Sequence, residues 1–354
     1  MRDLRVSSLC SVDNAAEEDV WELHRPPAPS VTSGKFVTTA SMHLAVTLNV
    51  DRIPREGVQI RAASALSSPG GGYVVAEGVR SQGVETWVAS PLGTGPNSHS
   101  LRRSLADAGI RHFATSLVGD VGVGVTMVEG DGKAAMVIAS GVESEPSAEI
   151  LSRLQLNVGD LVHVDGADLT GKVGAETLAS WIEDLPEGVT LVFSVSPEVG
   201  DVPADVLMRV LKRTDVLTMN VREAATLTDV LNSAVPGTGV RHVLRPEAAV
   251  VRRTGPLGCE VDTSVDAGRI QLPAFHTKPV DTTGVGDVHV AVMCASLLLG
   301  FDLPEACRRA NAGAALVLSH QTAFPLPTIK EVETVLEEGA VPVALTQRGS
   351  ADAQ

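Results

Sequence analysis

Aromatic side chains are scarce in this chain, making up 3% of its 354 residues with a single tyrosine, Tyr73. The stacking platforms that hold single-stranded nucleic acid are therefore missing. Positive charge is also short: 28 Lys and Arg stand against 43 Asp and Glu, and a net charge of −15 repels a phosphate backbone and an anionic membrane alike. No nucleic-acid partner is expected. Long hydrophobic runs are absent too, since the most apolar stretch, Val288 to Phe301, contains His289 and falls short of the roughly 20 residues of a spanning helix. No membrane association is expected. The four cysteines, Cys10, Cys259, Cys294 and Cys307, lie far apart with no Cys-x-x-Cys pair, which reads as buried free thiols. The first thirty residues place Asp13, Glu17, Glu18 and Asp19 where a signal peptide needs an apolar run, so the default expectation is a cytoplasmic protein. Gly-x-x-x-x-Gly-Lys-Ser/Thr, Gly-x-Gly-x-x-Gly, Gly-x-Ser-x-Gly and His-Glu-x-x-His do not occur, which removes the main support for P-loop, Rossmann, hydrolase and zincin readings.

What is present is apolar material, 44% of residues, and 33 unevenly placed glycines. Residues 1–34 read as a flexible N-terminal extension: an acidic helical piece from Asp13 to His24, then Arg25-Pro-Pro-Ala-Pro-Ser. The body is expected over 35–340 and a C-terminal tail over 341–354. A β-branched run from Phe36 to about Leu48 precedes a turn at Ile53-Pro-Arg-Glu-Gly57, and Pro69-Gly-Gly-Gly72 opens a helix to Gln82. A short strand follows at Thr86 to Ala89, then a helix over Ser98 to Ala108. Alternating strands at Gly122 to Glu129 and Ala134 to Ala139 are joined by a hairpin turn, Glu129-Gly-Asp-Gly-Lys133. After Pro146 helices alternate with apolar strands: Ala148 to Leu154 with Leu161 to Val164, Gly174 to Leu185 with Thr190 to Val195, and Ala204 to Lys212 with Val216 to Met219. Continuous apolar strands between helices predict an α/β doubly wound, mainly parallel sheet covered on both faces. The strands near 46–66 and 110–140 do not fit that alternation and are expected to form a small β-rich lid.

The sharpest local signal is Val280-Asp-Thr-Thr-Gly-Val-Gly-Asp287, followed by an apolar helical run. Gly284 and Gly286 let the backbone turn tightly and aim successive N–H groups at one point, where the helix start adds its positive dipole end. Such a turn can hold a phosphate or a developing oxyanion. Asp287 is then either a base that removes a proton from a hydroxyl or an ordinary first-turn complement to the dipole. Asn220 and Glu223, three apart at a strand-to-helix junction, read equally as a helix cap.

The segment ending at Asp287 resembles the C-terminal signature of the ribokinase-like (PfkB) carbohydrate kinases, Asp-Thr-x-Gly-Ala-Gly-Asp, from which it departs only at Val285. Other pieces agree in order over roughly 36–340. Pro69-Gly-Gly-Gly72 with its helix resembles the N-terminal glycine signature, and Leu92-Gly-Thr-Gly-Pro96 the Gly-Asp-Asp-Pro stretch. Asn220-Val-Arg-Glu223 matches Asn-x-x-Glu, and Arg309-Ala-Asn-Ala-Gly313 resembles the helix bordering the adenine. The resemblance implies ATP-dependent phosphorylation of a hydroxyl on a sugar, nucleoside or related polyol. Asp287 would be the base, and Gly284, Val285 and Gly286 with it would form the anion hole. Thr283, Gly284, Gly286, Asn220, Glu223 and Asn311 would face the nucleotide, with Glu223 reaching Mg²⁺ through water. A monovalent cation, K⁺, and a homodimer through the lid belong to the same implication.

The departures concern both ends of the site. The family's substrate-binding Asp falls on Ala45 and its Asn on Val74 or Val75, which leaves His43, Gly70 and Gly71 beside Ala45 to meet the acceptor. Gly95 stands where the second Asp of Gly-Asp-Asp-Pro is expected. The Thr-Leu-Gly-x-x-Gly strand and turn is matched to Val243-Leu-Arg-Pro-Glu-Ala248, where Arg245 is either a partner of the triphosphate or a surface residue in a turn. These losses keep a rival reading open, a catalytically weakened kinase-fold protein that binds a nucleotide or metabolite as a regulator. For His289, packing is expected rather than chemistry.

Overall fold

The apolar runs at Leu161–Asp165, Thr190–Ser194 and Val216–Asn220 are adjacent parallel strands, as their continuous hydrophobicity predicts for a sheet buried on both faces. The computed structural model describes residues 34–345 apart from 115, 131–132, 264–267 and 321–323. Nearly all of the expected N-terminal extension, most of the expected tail, and Cys10 lie outside the described residues. Among those described, the main sheet has nine strands in the order Arg269–Leu272, Cys259–Asp262, Ala249–Arg253, Val216–Asn220, Thr190–Ser194, Leu161–Asp165, Phe36–Thr38, Thr86–Val88, Arg111–His112. Only the first two run antiparallel to their neighbours. Two large apolar clusters cover its faces, one built on Phe193 and Leu191, the other on the helix Val285–Leu298.

That helix is apolar on every side because it is enclosed on every side. Gly78 and Gly313 let the helices Gly72–Ser81 and Leu303–Leu318 approach it closely. A Cβ on either would stand 2.6 Å from Ala291 Cβ or 2.8 Å from Val292 Cγ2. Cys259, Cys294 and Cys307 are buried free thiols.

The small sheet has four strands in the order Ser64–Gly71, Met42–Val50, Val123–Glu129, Ala134–Ala139. The strands expected near 46–66 and 110–140 fall only partly in this separate sheet. The run from Phe36 is two strands rather than one, because the chain leaves the main sheet after Thr38 and enters the small sheet at Met42. Residues 51–63 connect strands without joining one, and Arg111–His112 belongs to the edge of the main sheet. Ala134–Ala139 is an edge strand, and Met136, Val137 and Ile138 are about half exposed.

The stretch matched to a strand and turn, Val243–Ala248, contains no strand. Val240–Val243 forms a single helical turn, and the strand that pairs in parallel with Val216–Asn220 is Ala249–Arg253. The turn closing it, Arg253-Thr-Gly-Pro-Leu-Gly258, keeps both glycines of the Thr-Leu-Gly-x-x-Gly pattern, with φ of 63° at Gly255 and 89° at Gly258. The match at Val243–Ala248 is therefore corrected: the glycines are present ten residues further on, and the residue standing for Thr is Arg253.

Candidate active site

Strands of a doubly wound sheet end on a common edge, and ligands bind outside those carboxyl ends. Here Asp165, Asn220 and Arg253 each end a parallel strand, and all three line one open cleft of about 2760 Å³ between the main sheet and the small one. Gly284, Val285, Gly286 and Asp287 line it too, as do Thr283, Glu223 and Asn311 on one side and His43, Ala45, Gly70 and Gly71 on the other. The structure thus brings together every expected site residue except Arg245. That side chain bonds to Asp215 and donates to the Arg213 carbonyl at 3.0 Å, away from the cleft.

The glycine turn is built by its own side chains. Asp281 Oδ1 accepts from the Thr283 amide at 2.9 Å and its hydroxyl at 2.8 Å, and Gly284 takes a left-handed φ of 73° as the helix cap. The amides of Gly286 and Asp287 then lie in a first helical turn, where no preceding carbonyl receives them. Asp287 is half-buried, and burial pushes its carboxyl up to about 6, opposed by the Arg253 guanidinium and assisted by Glu223.

Asn220 and Glu223 form a complete capping box. Asn220 Oδ1 accepts from the amides of Arg222 and Glu223, while Glu223 Oε2 accepts from the Asn220 amide at 2.7 Å. Glu223 Oε1 takes the Asn220 Nδ2 donor at 2.6 Å, and Arg253 Nη2 reaches Oε2 at 3.1 Å. Three donors therefore hold this buried carboxylate. Asn311 is equally engaged: it donates to the carbonyls of Leu272 and Pro273 at 3.2 and 3.0 Å, and its Oδ1 lies 3.2 Å from His289 Nε2. His289 is buried and also borders the cleft.

Facing the glycine turn are two carboxylates that the sequence reading passed over. Asp165 caps the short turn Gly166–Leu169, which carries Asp168, and Asp168 Oδ1 accepts from the Ser41 amide at 3.0 Å. Asp168 Oδ2 is buried with no hydrogen-bond partner among the described residues. Burial raises both carboxyls, Asp168 to about 6, and Asp165 is raised further by the charges of Asp168 and Asp287. The signal that would have found Asp165 is its place as the last residue of a buried parallel strand. Since Asp168 has a folded pKa of about 6, above its unfolded value, its ionisation opposes folding by an amount that builds up as pH rises from about 4 to 6 and stays level above that. Asp168→Asn keeps the acceptor for Ser41, so urea unfolding at pH 7.5 should find it more stable than wild type by on the order of 1–2 kcal/mol. The difference should narrow at pH 5 and vanish below about pH 4; a less stable variant at pH 7.5 would refute this account.

The His43 ring is bedded against three glycines, since a Cβ on Gly70, Gly71 or Gly124 would lie 3.0, 3.1 or 2.9 Å from its nitrogens. Burial lowers its pKa, with Glu143 opposing. Ala45 and Val75 add apolar wall. The loss implied at Gly95 is made good from elsewhere in the chain. A Cβ there would stand 2.3 Å from Asp120 Cγ, and Asp120 accepts from the amides of Asn97 and Ser98, capping the helix Pro96–Asp107.

Comparison with known proteins agrees with this geometry. The model of the pfkB family carbohydrate kinases matches residues 34–329. The uncharacterized sugar kinase YegV of Escherichia coli (strain K12) is 29% identical over 283 residues, 79% of this chain and 87% of that protein. The ATP-dependent ribose-1-phosphate kinase of Halopiger xanaduensis is 29% identical over 297 residues, 83% of this chain and 95% of that one. Among solved structures, the Methanocaldococcus jannaschii nucleoside kinase, an archaeal member of the ribokinase family, superposes with a TM-score of 0.70 at 20% identity. That likeness of fold covers 86% of this chain and all of the other. No helix among the described residues is long and apolar enough to cross a membrane.

Proposed function

The chain belongs to the pfkB family of carbohydrate kinases, and from that premise we propose that it transfers the terminal phosphoryl group of ATP to a hydroxyl of a nucleoside, modified sugar or cyclic polyol, with Asp287 as the base. The observation that carries this reading is one cleft holding both halves of the chemistry: the glycine turn with Asp287, and Asp165 and Asp168 beside it. The amides at Gly286 and Asp287 would meet the transferring phosphoryl group, where fixed donors stabilise developing charge without reorganising. Asp287 would take the acceptor's proton as the oxygen attacks. Phosphoryl transfer of this kind is mainly positioning.

Mg²⁺ supplies charge neutralisation on the triphosphate. Glu223 can reach it only through water, because its carboxylate already holds the cap and Arg253, and a nucleotide-borne Mg²⁺ keeps several of its waters. The adenine would lie along the wall that includes Asn311, Ala314 and Ala315. A homodimer through the small sheet would cover Leu66, Met136, Val137 and Ile138.

At the acceptor end, Asp165 and Asp168 can receive hydroxyls, whereas Ala45 and Val75 offer an apolar surface. When ionised, these carboxylates would also repel a phosphorylated sugar. ADP release across a panel of sugars, sugar phosphates, polyols and nucleosides tests the reading. A nucleoside or cyclic polyol should outperform both free ribose and ribose 1-phosphate by tenfold or more in kcat/KM. Ribose turned over above about 10⁴ M⁻¹s⁻¹, the ordinary lower range for a physiological substrate, would overturn the choice of acceptor. Absence of MgATP binding by calorimetry would favour the regulator instead.

A further inference from the structure

Arg253 is the one residue of the glycine-turn motif at 253–258 that replaces a neutral hydroxyl by a full positive charge, and its surroundings hold that charge at the nucleotide end of the cleft. Nη2 donates to Glu223 Oε2 at 3.1 Å and Nη1 to Thr218 Oγ1 at 3.3 Å, while the side chain stays only 16% exposed. On its other side lies the start of the helix Val285–Leu298, where a Cβ on Gly286 would be 3.9 Å from Arg253 Cζ. The guanidinium thus sits between the capping box and the first turn that aims its amides into the cleft. These two bonds account for two of its five N–H groups.

We propose that Arg253 binds the terminal phosphates of the nucleotide, the task that the sequence alone offered to Arg245. The proposal rests on the kinase reading above. A guanidinium presents a planar fork matched to phosphate oxygens, and one already oriented by Glu223 and Thr218 loses little freedom on binding. Gly286 lies against the guanidinium at van der Waals distance, so its amide and Arg253 border the same part of the cleft. Glu223 is then a positioning residue for Arg253 as well as the helix cap. This arrangement places one fixed cation and one helix start on the same anion, next to Asp287 and remote from Arg245.

Calorimetry on the full chain with MgATP and with AMP tests it. Arg253→Met should weaken MgATP binding by about 10–100-fold, the range for losing charge-assisted hydrogen bonds, and change AMP binding by less than threefold. MgATP affinity within twofold of wild type, or equal weakening of both ligands, would overturn the proposal. Because Arg253→Met leaves Glu223 without its counter-ion, Arg253→Met with Glu223→Gln is measured alongside. A double variant as weak as the single supports a direct phosphate contact, and recovery to wild-type affinity overturns it. Wild type that binds no MgATP removes the kinase reading with this one, whereas wild type that binds it and a variant that binds it equally well removes only the role of Arg253.

Discussion

Asp287→Asn lowers kcat on the order of 10²-fold or more and leaves MgATP affinity close to wild type if, as proposed, Asp287 acts as a positioned base in the transition state while backbone amides and Arg253 hold the nucleotide. The substitution preserves shape and removes the proton acceptor. The pH profile supplies an independent signature. With the Asp287 carboxyl pushed up to about 6, mainly by burial, the active, deprotonated form is lost as pH falls through that value. Wild-type kcat/KM should therefore drop about tenfold per pH unit below 6 and stay level above 7. The residual activity of Asp287→Asn should lack this bend. An Asn variant turning over within threefold of wild type removes Asp287 from the chemistry. A bend that persists in the variant assigns it to another carboxyl, Asp168 first.

Gly71→Val destabilises the protein by about 2–6 kcal/mol. Gly71 joins the edge strand Ser64–Gly71 of the small sheet to the helix Gly72–Ser81 at a φ of 63° and a ψ of −135°, a conformation essentially confined to glycine that costs a residue with a side chain about 1–3 kcal/mol. The added Cβ would also stand 2.4 Å from the Ser41 carbonyl oxygen, which already accepts from the Gly72 amide at 2.8 Å. Backbone must move to relieve it, at roughly 1–3 kcal/mol. Gly57→Val separates the two causes. Gly57 has a φ of 74° with open space around its Cβ position, so only the conformational cost of about 1–2 kcal/mol applies. Urea titrations of both variants measure the difference; equal losses would show that the clash at Ser41 is relieved without cost. Because Ser41 also donates to Asp168, movement at Gly71 should raise the KM for the acceptor while MgATP affinity changes little.

Legibility followed the range of the contacts involved. The strands Leu161–Asp165, Thr190–Ser194 and Val216–Asn220 and the helices between them were readable because each is a run of residues whose pattern states its own burial. The turn at 281–287 was readable for the same reason: Asp281 bonds Thr283, Gly284 turns, and Asp287 follows, all within seven residues. The capping box at Asn220 and Glu223 is likewise local.

What the chain could not state locally is which short segments become neighbours. Val240–Val243 and Ala249–Arg253 are both brief, β-branched and Arg-bearing, so periodicity does not separate them; pairing with Val216–Asn220 does, and with it Arg253 enters the cleft and Arg245 leaves it. Asp120 fills the place expected to be vacant at Gly95 from 25 residues further along the chain. Asp168 and Ser41 meet across 127 residues, after the chain has crossed between two sheets. Sequence by itself determined the family, the doubly wound core and the glycine turn that carries Asp287, because those rest on contiguous residues that fold against their own neighbours. Tertiary structure alone decided the charge around that carboxylate, since electrostatics depends on distance in space and not along the chain.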